Sequence, residues 1–219
     1  MAGFSAVAPL ASHRPSIGSS LRPLAWLAVG AGTVAGSYGA VGALVGTHTP
    51  QLSPDMAGRF PVRLIQSVAV FGVVGWVMVA AGLVSAGAMR NPLARLCRRH
   101  ARAQVLIAGG LIGAFLVGRP FPLFFKMFQF AASTYNPAFG AAAFALQILG
   151  NITLMAALYL LVTHVGGGRL RRWLAASPYR PARFSAATLI VSGTFLITYW
   201  CVRGPSFFGI GWWPAVPWS

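Results

Sequence analysis

The sequence predicts an all-α integral membrane protein with about five transmembrane helices. Of its 219 residues, 57% are hydrophobic and only 8% are charged, whereas soluble domains carry about 25% charged residues. Several apolar runs also reach the length of about 20 residues that crosses a bilayer. The chain has 17 Lys and Arg residues and a single acid, Asp55, and the basic residues cluster in short loops between the apolar runs. The positive-inside rule explains this pattern, so the expected partner is the lipid bilayer and not nucleic acid.

The chain divides into three predicted segments. Residues 1–23 are expected to be a disordered cytoplasmic N-terminus, residues 24–204 a polytopic transmembrane domain and residues 205–219 an aromatic interfacial tail. The first apolar run, about Leu24 to Gly46, is interpreted as a retained span, because the segment before it is long for the n-region of a signal peptide. The tryptophans of the tail suit the aromatic belt of a membrane interface.

Glycines recur at a spacing of four in the first span, as Gly32 and Gly36 and again as Gly42 and Gly46. This spacing lets two helix backbones approach closely. The glycines therefore predict packing within the chain or, as a sharper hypothesis, contact with a second copy or another membrane protein through the first helix.

Two basic loops determine the predicted orientation. Residues 89–103 and 166–184 each contain five arginines, a density that marks the cytoplasmic side. The second span, about Val62 to Ala88, precedes the first loop, and the fifth span, Phe184 to about Val202, begins where the second loop ends. Five spans put both loops on one side, which places the N-terminus in the cytoplasm and the C-terminus outside.

A proline-broken or re-entrant segment is expected near residues 118–134. The third span begins near Gln104 and has only about 15 residues before two prolines interrupt it. In one interpretation it continues through the prolines as a kinked or discontinuous helix, whose freed backbone groups need protein or water partners. In the other, residues 122–133 lie flat at the interface and Lys126 snorkels to the headgroups.

The fourth span, Ala138 to about His164, carries small and polar residues on one helical face. Gly140 and Gly150 predict close helix packing, and the amides of Gln147 and Asn151 can hydrogen-bond to another helix. This face either holds helices together or lines a pathway.

No catalytic set can be assembled from the sequence, so an enzyme, a metal site or a bound cofactor is not expected. One acid is too few for paired-carboxylate catalysis, and the four histidines are scattered. The predicted topology places Cys97 and Cys201 on opposite sides of the membrane, where they cannot form a disulfide. The chain has no CxxC motif.

Two proline-containing elements carry a family resemblance. The element GRPF at residues 118–121 precedes the small-residue segment AASTYNPAFGAAAFALQILGN, the basic loop GGGRLRRWL and the final apolar helix ATLIVSGTFLITYW. In the first half, TPQLSP at residues 49–54 precedes VAVFGVVGWVMVAAGL. From about Ala108 onward, and more loosely before it, the chain resembles the CcdA/DsbD-type transmembrane domain of cytochrome c biogenesis and thiol–disulfide transfer.

The resemblance implies helix breaks at Pro50, Pro54, Pro120 and Pro122. It does not extend to redox chemistry, because Gln51 and Phe121 stand where the family places its redox cysteines. Neither side chain can form a thiolate or a mixed disulfide, the species through which exchange proceeds. The five predicted spans are also one fewer than the six of CcdA-like members.

The leading hypothesis is a redox-inactive CcdA-like protein of the bacterial plasma membrane that transports or hands over a small solute: a metal ion, a haem-related species or an anion. Paired broken helices are typical of the midplane sites of transporters. The alternative is a non-catalytic assembly or accessory subunit, for example in cytochrome biogenesis. A more remote alternative is thiol–disulfide electron transfer through Cys97 or Cys201. The candidate path residues are Gln51, Arg119, Pro120, Phe121, Pro122, Lys126, Gln147 and Asn151.

Overall fold

The computed structural model describes residues 17–48, 52–92, 94, 102–118, 122–161, 172, 176–177 and 179–213. Helices dominate this part of the chain. They are α1 (Ile17–Val45), α2 (Val62–Ala86), α3 (Ala103–Val117), α4 (Pro122–Thr134), α5 (Pro137–Leu161), α6 (Arg180–Ile197) and α7 (Gly204–Ser206). The other elements are a 3₁₀ turn (Gly46–His48), the antiparallel strands β1 (Met56–Ala57) and β2 (Phe60–Pro61), and a π-helical turn (Thr198–Arg203) that joins α6 to α7.

Among the described residues, four helical stretches are long and apolar enough to cross a membrane, which confirms the prediction of a multi-pass all-α membrane protein. They are Leu21–Val45, Val62–Ala86, Pro137–Leu158 and Arg180–Ser206. Helix α3 is also apolar, but its 15 residues cover only about 22 Å at a rise of about 1.5 Å per residue. That length is less than the hydrocarbon core of about 30 Å.

Helix α1 is longer at its N-terminus than the sequence suggested. It begins at Ile17 and contains Pro23, whereas the first span was expected to begin at Leu24 after a disordered segment. The part of residues 1–23 that the structure describes is therefore helical.

Helices α1 and α3 run parallel in close contact. At one end the guanidinium of Arg102 lies 4.6 Å from the ring centroid of Trp26, and further along both helices Gly113 lies against Ala31. Between these points Gly30 of α1 and Gly109 of α3 each lie against the other helix's backbone so closely that a Cβ could not fit without a shift. Glycine at these positions permits the close approach.

Helix α5 packs on α1 in the antiparallel direction. Gly39 meets Gly140 backbone to backbone, and three residues earlier Gly36 lies near Ala141 and Ala145 of α5. Helix α5 begins at a side-chain cap, because the Asn136 Oδ1 accepts hydrogen bonds from the N–H groups of residues 138 and 139 at 3.0 and 3.2 Å. The first half of the chain thus provides the helix on which α3 and α5 are assembled.

Helices α2 and α6 form a second antiparallel pair. Gly75 faces the backbone of Gly193, and Gly82 faces Ala186 and Ile190. Helix α2 is capped by Gly87, whose φ of 81° belongs to the left-handed region and whose N–H donates hydrogen bonds to carbonyl groups of the last turn.

Helix α3 connects this pair to the helices around α1. The buried ring of Phe71 in α2 stacks on Trp200 with a centroid distance of 4.6 Å, and meets Phe115 of α3 edge-on at 5.1 Å. Aromatic pairs of this geometry contribute about 0.5–1.5 kcal/mol each beyond area burial. Because lipid tails are as apolar as these side chains, such packing contributes more to helix association in a bilayer than hydrophobic transfer does.

Candidate functional site

The candidate site is the interruption between α3 and α4. Helix α3 ends at Val117 and α4 begins at Pro122. The predicted path residues Arg119, Pro120 and Phe121 lie between them, outside the described residues, as does Gln51. The flanking helices and the helix opposite therefore define the geometry of the site.

Helices α3 and α4 lie one after the other along α1. Helix α3 contacts the N-terminal half of α1, at Leu27 and Ala31. Helix α4 contacts the C-terminal half, where the ring of Phe128 covers Gly42 and the Tyr135 ring, just after α4, lies against Gly46. Both helices advance in the same direction as α1, so α4 continues the course of α3 along the same helix.

The C-terminal end of α3 lies inside the bundle. Gly118, the last described residue before the interruption, lies next to Val70 and Phe71 of α2. Val70 is about 12 Å along α2 from Val62, at a rise of about 1.5 Å per residue. The end of α3 is therefore well within the length of a neighbouring membrane-spanning helix.

An aromatic cluster packs on the C-terminal side of the interruption. Phe128 and Phe144 are almost fully buried, and their ring centroids are 5.8 Å apart. Phe124 meets Phe144 edge-on at 5.3 Å, and Tyr38 of α1 contacts both Phe128 and Phe144 at 5.5 and 5.8 Å. These rings hold α4 between α1 and α5.

Gln147 is the predicted path residue whose surroundings are most unusual. Helices α4 and α5 are antiparallel, since Phe130 pairs with Phe139 and Phe124 pairs with Phe144. Gln147 follows Phe144 by about one turn, so it lies near the level at which α4 begins. Its Oε1 is buried and has no hydrogen-bond partner among the described residues. Leaving such an acceptor unsatisfied costs about 1–3 kcal/mol.

The other described path residues do not converge on this oxygen. Asn151 is half-buried one turn beyond Gln147 on α5. Lys126 is exposed, and its position two residues before the buried Phe128 places it on the opposite face of α4. Pro122 is the first residue of α4. The structure thus places two polar amides on one face of α5 and directs Lys126 away from the core of α4.

The predicted packing glycines fall into two groups. Gly36, Gly42, Gly46 and Gly140 contact other parts of the chain, and Gly46 also adopts a positive φ of 63°. Gly32 and Gly150 have no described atom within 4 Å of the position a Cβ would take. Their faces are open in the described part of the structure.

The sequence analysis missed one polar contact. The Gln66 Nε2 of α2 donates a hydrogen bond of 2.5 Å to the hydroxyl oxygen of Tyr38 in α1. The two residues are 28 positions apart on different spans, and neither lies in a recognisable motif. The presence of two polar side chains in apolar spans was the one available signal.

Cys201 lies in the π-helical turn, where its thiol contacts the carbonyl oxygen of Val68 at 3.7 Å. Cys97 lies outside the described residues. Among the residues that the structure does describe, no group of three His, Cys, Asp or Glu side chains is arranged to hold a metal ion.

The fold therefore defines the class of the protein as a multi-pass helical membrane protein. No family model, curated protein or solved structure matches the chain. The resemblance to the CcdA/DsbD-type domain consequently depends on the sequence elements alone.

Proposed function

We propose that this chain is a five-span protein of the bacterial plasma membrane that binds and passes a small solute at a break in its third span. In this proposal α3 and α4 are the two halves of that span, which residues 119–121 connect in the sequence. The N-terminus lies in the cytoplasm and the C-terminus outside. The observation that carries the proposal is the buried, unpartnered Gln147 Oε1 near the level at which α4 begins.

The serial arrangement supports a broken span better than a segment lying flat on the membrane. A flat helix would leave α1 at a steep angle, whereas α4 follows α1 from Phe128 on Gly42 to Tyr135 beside Gly46. A break inside the membrane leaves carbonyl groups at the end of α3 and N–H groups at the start of α4 without helical partners. Such groups are tolerated where they are buried in protein or line a polar cavity, and transporters use them to bind solutes.

An anion is the solute class to test first. Arg119, a cation, lies in the sequence between α3 and α4. The start of α4 adds the partial positive charge of a helix N-terminus. The amide of Gln147 can donate or accept a hydrogen bond and can thus orient a small polar solute.

The experiment is uptake into proteoliposomes of the purified chain, with chloride, acetate and inorganic phosphate as separate probes. Gln147→Leu should lower uptake of the transported probe at least about fivefold, the factor that a lost interaction of about 1 kcal/mol gives. Gln129→Leu is the matched control, because it makes the same chemical change at an exposed position of α4 and should leave uptake unchanged.

Two results would contradict the proposal. One is uptake of all three probes at the rate of empty liposomes. The other is equal uptake by the Gln147→Leu and Gln129→Leu variants at matched protein content. Elution volume and melting temperature of each purified variant verify that both proteins are folded.

The contacts of α1 support the accessory-subunit hypothesis less well than the solute-binding proposal. A partner that used the predicted glycine face would need Gly36 and Gly42. Gly36 lies near α5 and Gly42 lies under the ring of Phe128. A partner helix would therefore have to use another face of α1.

A further inference from the structure

One end of the bundle carries the β-hairpin of β1 and β2, and it is called the hairpin end below. Helices α1 and α6 end there and α2 begins there. At the opposite end, the Arg102 guanidinium lies over the ring of Trp26 near the start of α1, and Arg90 follows the end of α2. In the proposed topology the hairpin end faces outward, where the positive-inside rule predicts few basic residues.

The hairpin end nevertheless has more basic than acidic residues. In the described part of the chain it carries Arg59, Arg63 and Arg203 and one acid, Asp55. The Asp55 carboxylate accepts a hydrogen bond of 2.8 Å from the hydroxyl of Ser53. The positive-inside rule does not explain arginines at an outward end, and an excess of cations there favours a negatively charged ligand.

Arg203 lies over two aromatic rings. Its guanidinium carbon is 5.3 Å from the centroid of the Phe207 ring and 5.4 Å from that of the Tyr199 ring. Contact with aromatic rings positions a guanidinium and leaves it charged. The N–H groups at its edge can then form a bidentate pair with a phosphate. The rings thus orient a group that is suited to bind phosphate.

Arg59 lies against the same short turn from the hairpin side. Its Nη1 is 3.4 Å from the position that a Cβ of Gly209 would take. The neighbouring Phe60 packs edge-on against Phe208, with ring centroids 5.2 Å apart. The guanidinium groups of both arginines therefore contact residues 207–209, whose first and last Cα atoms are at most about 7 Å apart.

Both arginines lie at the depth of the lipid headgroups. Arg59 precedes the span Val62–Ala86 by three residues, and Arg203 lies in the last turn of the span Arg180–Ser206. Trp212, which is 80% exposed, follows the same turn, and tryptophan is enriched at the membrane–water interface. An anionic phospholipid matches this depth and charge, because its phosphate lies at the interface and its acyl chains lie along the spans.

We propose that Arg59 and Arg203 bind the phosphate of an anionic phospholipid at the hairpin end. The bound lipid reduces the repulsion between two cations that contact one turn, and it connects the end of α6 to the hairpin that precedes α2. Arg63 adds positive charge from the first turn of α2. The lipid site uses none of the candidate path residues, so it does not rest on the proposed solute path.

The test measures which lipid lies next to the hairpin end. An NBD fluorophore is attached through Ile210→Cys, at a position that is 42% exposed, in a chain carrying Cys97→Ser and Cys201→Ala. The protein is reconstituted into phosphatidylcholine bilayers that contain nitroxide-labelled phosphatidylglycerol or nitroxide-labelled phosphatidylcholine at equal mole fraction. The phosphatidylglycerol should quench the fluorophore more strongly.

Arginine variants make the result specific. Arg59→Gln and Arg203→Gln should each lower the preference for phosphatidylglycerol at position 210 about fivefold, the factor that corresponds to about 1 kcal/mol per basic residue at a membrane surface. Arg90→Gln is the matched control, because it makes the same change at an exposed residue of the opposite end and should leave this preference unchanged. A second fluorophore position, Met89→Cys, should show unchanged quenching in Arg59→Gln and Arg203→Gln and thus verifies that both variants are folded.

Equal quenching by the two lipids at position 210 of the parent chain would overturn the lipid site, as would an unchanged preference in either Arg59→Gln or Arg203→Gln. Loss of the preference on addition of inorganic phosphate, but not of sodium chloride at equal ionic strength, would assign the site to free phosphate and would also overturn it. A preference for phosphatidylglycerol in a chain that takes up no anion would support the lipid site and contradict the proposed function alone.

Discussion

Replacing Gly140 with alanine tests the close contact between α1 and α5. A Cβ at this position would lie closest to the carbonyl oxygen of Gly39, and 2.9 Å from the carbonyl carbon of Gly39 and 3.0 Å from the Cβ of Ala43, whereas ordinary contacts are 3.4–4 Å. The obstacle is backbone, so α5 must move away from α1 by at least about 0.5 Å, the difference between 3.4 and 2.9 Å. Overpacking of this kind costs about 1–3 kcal/mol.

The matched control is Gly150→Ala on the same helix. No described atom lies within 4 Å of the position its Cβ would take, and alanine is the better helix former by up to about 1 kcal/mol. Gly140→Ala should lower Tm in detergent by about 4–8 °C, taking about 2 kcal/mol and the response of a chain of this size. Gly150→Ala should hold or raise it.

The difference in Tm is measured by thermal unfolding of the purified variants, monitored by tryptophan fluorescence. The measurement is repeated with a second probe that does not react with thiols. Equal Tm values for the two variants would refute the assigned helix contact, because the same substitution would then have the same effect in open and occupied space. A lower Tm for Gly150→Ala alone would show that α5 faces α1 with its other side.

Two further predictions concern single contacts. Phe71→Ala should destabilise the protein by about 3–5 kcal/mol in chemical unfolding, because it leaves a cavity between Phe115 and Trp200. The control is Phe195→Ala, whose ring is 63% exposed and whose loss should cost about 1 kcal/mol. Equal losses of stability in the two variants would contradict the connecting role of Phe71. Asn136→Ala should cost about 1 kcal/mol by removing the cap of α5, and an unchanged midpoint of unfolding would show that the cap contributes nothing.

Hydropathy alone was sufficient to predict the four helices that are long and apolar enough to cross a membrane among the described residues. The second span was expected to begin at Val62, where α2 begins, because Pro61 and the turn before it interrupt the apolar run. The first span was expected to begin at about Leu24, whereas α1 begins at Ile17 and contains Pro23. Proline near the first turns of a helix removes few hydrogen bonds, so it is a weak boundary signal.

Which glycines pack could not be predicted from spacing. Gly32 and Gly36 are four residues apart and lie on nearly the same face of α1, yet among the described residues only Gly36 contacts another helix. The pair Gly39 and Gly140 lies outside the spacing considered for the first span and forms the closest contact with α5. Spacing identifies a face of one helix, whereas the contact also depends on where the neighbouring helix crosses it.

The candidate site was predictable in its residue types and not in its arrangement. Gln147 was notable as an amide in an apolar span, but the burial of its oxygen follows from the antiparallel register of α4 and α5. Lys126 was expected to be near a path or at the headgroups, and its exposure follows from its place on the face of α4 opposite the buried Phe128. Register between helices is a tertiary property that no local pattern encodes.

The glycines of α1 explain how two short helices, α3 and α4, pack closely along one long helix. Neither α3, with 15 residues, nor α4, with 13, reaches across the hydrocarbon core alone. Each is held against α1 at glycine, α3 at Gly30 and α4 at Gly42, where the absence of a side chain lets backbone or an aromatic ring approach the helix axis. Since packing contributes more than hydrophobic transfer to helix association in lipid, these glycines stabilise the contacts of α3 and α4 with α1. A helix with larger side chains at these two positions would keep α3 and α4 further from its axis.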